Sequence, residues 1–201
     1  MPPGRRRGRE TSMPNPTIEP CPGCGLAVGP TDGPRHPYIG SSPGCWALFN
    51  ELLVSGPGGD VPGQLAGDAY AVQHPGALER RAIQSACVHA INLCARLEWD
   101  YPEKRIKDLM RSALTHPEWW RPFGMPTPIG TITVADVVAE PDPESRAERT
   151  MAWAKDIWAV HAPHHELVRG WVATLIGSNS STSVRQRGAG RQPGRAPRRS
   201  S

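Results

Sequence analysis

The segment from residue 17 to 44 is dense in Gly and Pro and shows no hydrophobic period. Such a stretch cannot order itself by burying one face of a helix or strand, so something other than a core must hold it. Cys21-Pro22-Gly23-Cys24-Gly25 supplies the means. Two thiolates two residues apart can face one cation, and the glycines let backbone amides turn toward the sulfurs. Cys45 is a third ligand candidate, in the first turn of a following helix, where the helix end favours the thiolate. A tetrahedral site needs a fourth donor. His36 is preferred because it lies in the same loop, giving C-x2-C-x11-H-x8-C. His74, at the end of the next helix, is the alternative. A redox CxxC normally opens a helix after a strand, and no such unit surrounds this one. The expected cofactor is a zinc ion held by four protein donors. That closed shell is structural because it leaves no open position for water.

The rest of the middle reads as helices. Ser42 as N-cap and Pro43 at the first helical position start a helix through Leu53. A loop at 55–64 precedes a short helix from Leu65 to Gln73, which His74-Pro75-Gly76 stops. Between Glu79 and Glu98, Ile83, Cys87, Ala90, Cys94 and Leu97 recur every three or four residues. Ala82, Ala86, His89 and Leu93 form a neighbouring stripe, so this helix packs between others. Lys104 to Leu114 predicts another helix, and 116–130 a loop anchored by Trp119 and Trp120. Residues 131–139 fit strand or helix, with Asp136 to Glu140 leaning to helix. Glu144 to Ile176 predicts one long helix kinked at Pro163. The fold class is mainly α: a helical bundle with an N-terminal zinc-knuckle loop at 21–45.

Histidines interrupt the apolar stripes of this bundle. His89, His165 and either His74 or His161 make a possible second metal site, since bundles build such sites from facing helices. Three imidazoles and a water would leave a catalytic position open. The plainer reading is that each histidine hydrogen-bonds within the core, with His164 or His165 taking a carbonyl freed by Pro163. Asp68, Tyr70 and Gln73 flank His74 and are placed to support it; core packing and capping would explain them equally. Cys87 and Cys94 stand about 10.5 Å apart along one helix, so they cannot pair and read as buried core thiols.

The formal charge of +4 suggests a nucleic-acid binder until it is divided along the chain. Residues 17–176 hold 13 Lys and Arg against 18 Asp and Glu, a net of −5. The basic residues concentrate in a 1–16 extension and a 177–201 Arg/Ser/Gly-rich tail, both too poor in apolar residues to order themselves. An acidic body is a poor match for phosphate backbones, which leaves only weak nucleic-acid binding through the tails. Met13 is a second possible start. No run approaches the ~20 apolar residues of a membrane span. Five cysteines, an odd number, exclude a fully paired disulfide framework and fit a reducing, cytoplasmic setting.

Six segments taken together are distinctive: CPGCG, HPYIGSSPGCWALFNELL, DAYAVQHPG, RRAIQSACVHAINL, TVADV and VHAPHHELVRGW. They resemble an uncharacterised bacterial family designated domain of unknown function 5946, from about Cys21 to Trp171. The matching positions include Cys21, Cys24, His36, Cys45, Trp46, Asp68, Tyr70, Gln73, His74, His89, His164, His165 and Trp171. At His161 the family pattern has Trp, which favours His165 over His161 as a ligand. The resemblance implies no activity. The sequence therefore points to a zinc-binding helical protein whose bundle binds an unknown protein or small molecule. A metal-dependent hydrolase or transferase using the histidine site is the alternative, and a nucleic-acid-associated regulator acting through the tails is the third reading.

Overall fold

The computed structural model describes residues 18, 20–29, 32–55, 62–124 and 129–188. The extension at 1–16, with its two possible starts, and the chain beyond Gly188 lie outside the described residues. The protein is mainly helical, and its order is α1 (Pro43–Ser55), α2 (Pro62–Gln73), α3 (Arg80–Leu97), α4 (Glu103–Ala113), α5 (Val134–Val138), α6 (Pro143–Val160) and α7 (His165–Gly188). Single 3-10 turns occupy Pro117–Trp119 and Ala162–His164. Among the described residues β-structure is limited to two isolated bridges, Pro20 with Ala27 and Ile39 with Pro75.

The helix starts follow local chemistry. Ser42 Oγ accepts from the Cys45 amide at 3.3 Å and opens α1. At α5, the Asp136 carboxylate accepts from the Thr133 amide at 2.7 Å and from its hydroxyl at 2.8 Å, which settles 134–138 as helix rather than strand. Asp142 Oδ1 accepts from the Glu144 and Ser145 amides at 3.0 and 2.9 Å and caps α6, with Pro143 at its first position.

Helix α3 is the axis of the bundle. It packs against α2, α4, α6 and α7, while α1 packs against α5. Its buried residues are Ala82, Ala86, Cys87, Val88, Ala90, Ile91, Asn92, Leu93, Cys94 and Ala95, wider than one stripe, as a helix enclosed by neighbours requires. Small residues let α2 approach closely: Ala66, Ala69 and Ala71 are buried beside Tyr70 and Val72. The fully buried Trp153 of α6 donates its indole N–H to Gln73 Oε1 at 3.0 Å. Gln73 Nε2 in turn donates to the Ile132 carbonyl at 2.9 Å, so one side chain joins α2, α6 and the approach to α5.

Two expectations need correction. The predicted continuous helix from Glu144 to Ile176 is broken rather than kinked. The α-helix stops at Val160, His161 leaves helical geometry at φ −89°, ψ 15°, and the Ala162–His164 turn intervenes before α7. Pro163 has no N–H to give, and its ring excludes the carbonyl of the preceding turn. At the other end, α7 does not stop near Ile176 but reaches Gly188. Once a helix is nucleated, each further residue adds a hydrogen bond for little cost, so low apolar content alone does not end it.

Trp153→Phe is expected to cost about 1–3 kcal/mol, because it leaves Gln73 Oε1 buried without its donor. Urea denaturation of the variant beside the wild-type protein measures the loss.

Candidate metal centre

Four side chains from three parts of the chain converge at one end of the bundle. Cys21 and Cys24 come from the knuckle, Cys45 from the first turn of α1, and His74 from the residue after α2. All four are buried, and their ligand atoms lie within 4.8 Å of one another. The Cys24 and Cys45 sulfurs are 3.8 Å apart, and Cys45 Sγ is 3.4 Å from His74 Nε2. This group could hold a metal ion; among the described residues it is the one group of three or more such side chains that could.

Local geometry aims each donor. The Cys21 amide donates to the Leu26 carbonyl at 2.9 Å, and the Gly25 amide to the Cys21 carbonyl at 2.8 Å, which closes the knuckle. Gly25 takes φ +73°, a conformation natural to glycine. The Ser42 amide donates to Cys21 Sγ at 3.3 Å, and the Tyr70 hydroxyl to Cys45 Sγ at 3.5 Å. His74 Nδ1–H donates to the Tyr70 carbonyl at 2.7 Å, which fixes the tautomer and leaves the Nε2 lone pair turned to the sulfurs. Gly23 lies against this imidazole: a Cβ there would fall 2.3 Å from His74 Cδ2.

The three thiols share protons unequally. Hydrogen bonds from Cys24 and Cys45 push the Cys21 thiol far below its usual range. Cys24 is pushed up to about 11, chiefly because its own hydrogen is given to Cys21, and Cys45 is driven well above the thiol range for the same reason. Three buried thiols this close cannot all ionise without a cation among them.

His36, the preferred fourth donor, is not in this group. Its ring packs edge-on to Tyr38 and Trp46, with centroids 4.3 and 4.7 Å away, and its Nδ1 accepts from the Tyr38 amide at 3.4 Å. The alternative, His74, takes the place. Loop spacing does not reveal this, because α2 carries His74 back beneath the knuckle. The proposed trio of His74, His89 and His165 is also not assembled. His89 Nδ1 bonds Asp68 Oδ1 at 2.7 Å. His165 stacks on Trp158 and gives Nε2–H to the Trp158 carbonyl at 2.8 Å. His161 gives Nδ1–H to the Ile157 carbonyl at 2.9 Å, and burial lowers its pKa. These last two histidines satisfy carbonyls around the break that Pro163 creates. Cys87 and Cys94 are buried away from the cluster, and burial pushes their thiols up to about 11 and about 12.

Sequence reasoning missed the pairing of Asp68 with His89. Its signal was a carboxylate inside the apolar run LAGDAYAV, since a buried charge requires a partner.

The fold and site define a helical protein with a buried Cys3His group where the knuckle meets the start of α1 and the end of α2. The chain belongs to the Family of unknown function (DUF5946), whose family model matches residues 19–162. No curated protein and no solved structure matches it.

Gly23→Ala is expected to weaken metal binding by displacing His74, whereas Gly29→Ala, with nothing near its added methyl, leaves it unchanged. Competition against a chromophoric chelator measures both affinities.

Proposed function

We propose that the protein binds one zinc ion at Cys21, Cys24, Cys45 and His74, that the ion is structural, and that the bundle it braces receives a small ligand or protein partner. The observation that carries the zinc reading is the donor spacing. Tetrahedral zinc with sulfur at ~2.3 Å and nitrogen at ~2.0 Å sets sulfurs about 3.8 Å apart and sulfur from nitrogen about 3.5 Å. Here the Cys24 and Cys45 sulfurs are 3.8 Å apart, Cys45 Sγ is 3.4 Å from His74 Nε2, and all four donor atoms lie within 4.8 Å of one another. Three thiolates and one imidazole also suit a borderline-soft cation better than magnesium or calcium, which take oxygen.

Four protein donors complete the shell, so the ion supplies a cross-link and not a reactive water. It would neutralise the thiolates that otherwise compete for protons, and join the knuckle to α1 and α2. A cytoplasmic setting is part of the proposal, and the five unpaired cysteines support it. No helix among the described residues is long and apolar enough to cross a membrane.

Protein purified without a histidine tag should carry one zinc per chain by plasma mass spectrometry. His74→Ala and Cys45→Ser should lose it, and His36→Ala should keep it. Zinc retained in His74→Ala would refute the assignment. Because a structural ion contributes directly to folding, chelation should lower the melting temperature and open residues 17–54 to protease. An unchanged melt after complete removal would refute the structural role.

A further inference from the structure

A second polar group stands on α2 and α3, apart from the four sulfur and nitrogen donors. Asp68 is fully buried on α2. Its Oδ1 accepts from His89 Nδ1 at 2.7 Å, Asn92 Nδ2 at 2.9 Å and Gln64 Nε2 at 3.0 Å. Its Oδ2 is buried with no hydrogen-bond partner among the described residues. The carboxylate thus fixes His89 with Nδ1–H turned inward. The far nitrogen, Nε2, has no protein partner among the described residues, and the side chain keeps 25% exposure.

His89 opens onto two clefts of about 320 and about 280 Å³, which share Tyr38, Ser85 and His89 as lining. Arg81, Ser85 and His89 recur every four residues along α3, so they share one face, and all three line the first cleft. Arg81 is the one Lys, Arg, Asp or Glu among the residues lining either cleft. Its guanidinium has no ion pair among the described residues. The second cleft is walled by rings, with His36 and Tyr70 both beside Trp46 at centroid distances of 4.7 and 5.9 Å. The two adjoining clefts therefore offer a guanidinium, a hydrogen-bond acceptor held in one orientation, and aromatic side chains. Complementary chemistry is a planar ring that carries an anionic group and a hydroxyl.

We propose that these adjoining clefts bind a small hydroxylated aromatic anion. Arg81 takes the anionic group, the ring lies among the aromatic side chains, and His89 Nε2, positioned by Asp68, accepts from the hydroxyl. This rests on the reading of the bundle as a ligand-binding body and not on its metal. No covalent step is involved.

Calorimetric titration of the full-length protein with the three hydroxybenzoate isomers, with benzoate and with acetate tests it. At least one isomer should saturate in the millimolar range or below. Benzoate should bind about tenfold more weakly and acetate, lacking the ring, should not saturate. Arg81 is exposed, so Arg81→Gln should fold normally and weaken the best isomer about tenfold. His89→Gln should erase the preference for the isomer over benzoate, a readout that lost packing alone would not produce. The proposal is overturned if no isomer saturates, if benzoate equals the best isomer, or if Arg81→Gln binds as wild type. Zinc content measured on the same samples separates the two readings. Zinc present without ligand binding ends this inference alone, and ligand binding without zinc ends the metal reading alone.

Discussion

Cys45 and His74 meet at 3.4 Å although 29 residues separate them, and most of the molecule's N-terminal half is arranged by that meeting. The contact brings the start of α1 to the end of α2 and traps the knuckle over both. From there the order spreads outward. The Gly40 amide donates to the His74 carbonyl at 3.0 Å, and Ile39 bridges Pro75, so the loop that bears His36 and Tyr38 is fastened beside the cluster. Gly40 and Gly76 allow this close pass: a Cβ on either would sit 2.5 or 2.4 Å from a carbonyl oxygen of the opposing segment. The same cluster thus sets the loop that forms one wall of the clefts on α3.

The chain achieves this with little apolar surface in residues 20–42. A loop of that composition gains too little from burial to offset the entropy of fixing its backbone. Hydrogen bonds to Leu26 and Cys21 shape the knuckle but do not attach it to the bundle. The attachment runs through Cys21, Cys24 and the Ser42 amide, with Leu26 and Val28 packing on the core beside them, so an ion shared among the sulfurs would act on folding more than on chemistry.

What was legible in the sequence was whatever depends on near neighbours. Ser42-Pro43 announces the start of α1, and the two stripes of α3 announce a helix enclosed on several sides. The CxxC pair and Cys45 were legible because their chemistry demands company. The fourth donor was not, because choosing between His36 and His74 requires knowing where α2 delivers its end. The histidines of the last helix carried two readings, a metal trio or partners for carbonyls beside Pro163. Spacing shows which residues share a face but does not choose between the two; His165 and His161 take the Trp158 and Ile157 carbonyls beside the break. Asp68 and His89, on separate helices, are joined only by the packing of α2 on α3.

In the proposed structure one zinc ion ties the knuckle to α1 and α2 through three sulfurs and one nitrogen. X-ray absorption at the zinc edge of the purified protein reads that shell. Three sulfurs at about 2.3 Å and one nitrogen at about 2.0 Å are expected, with the histidine signature of outer-ring scattering. A shell of nitrogen and oxygen alone, or one with four sulfurs and no imidazole, would contradict it.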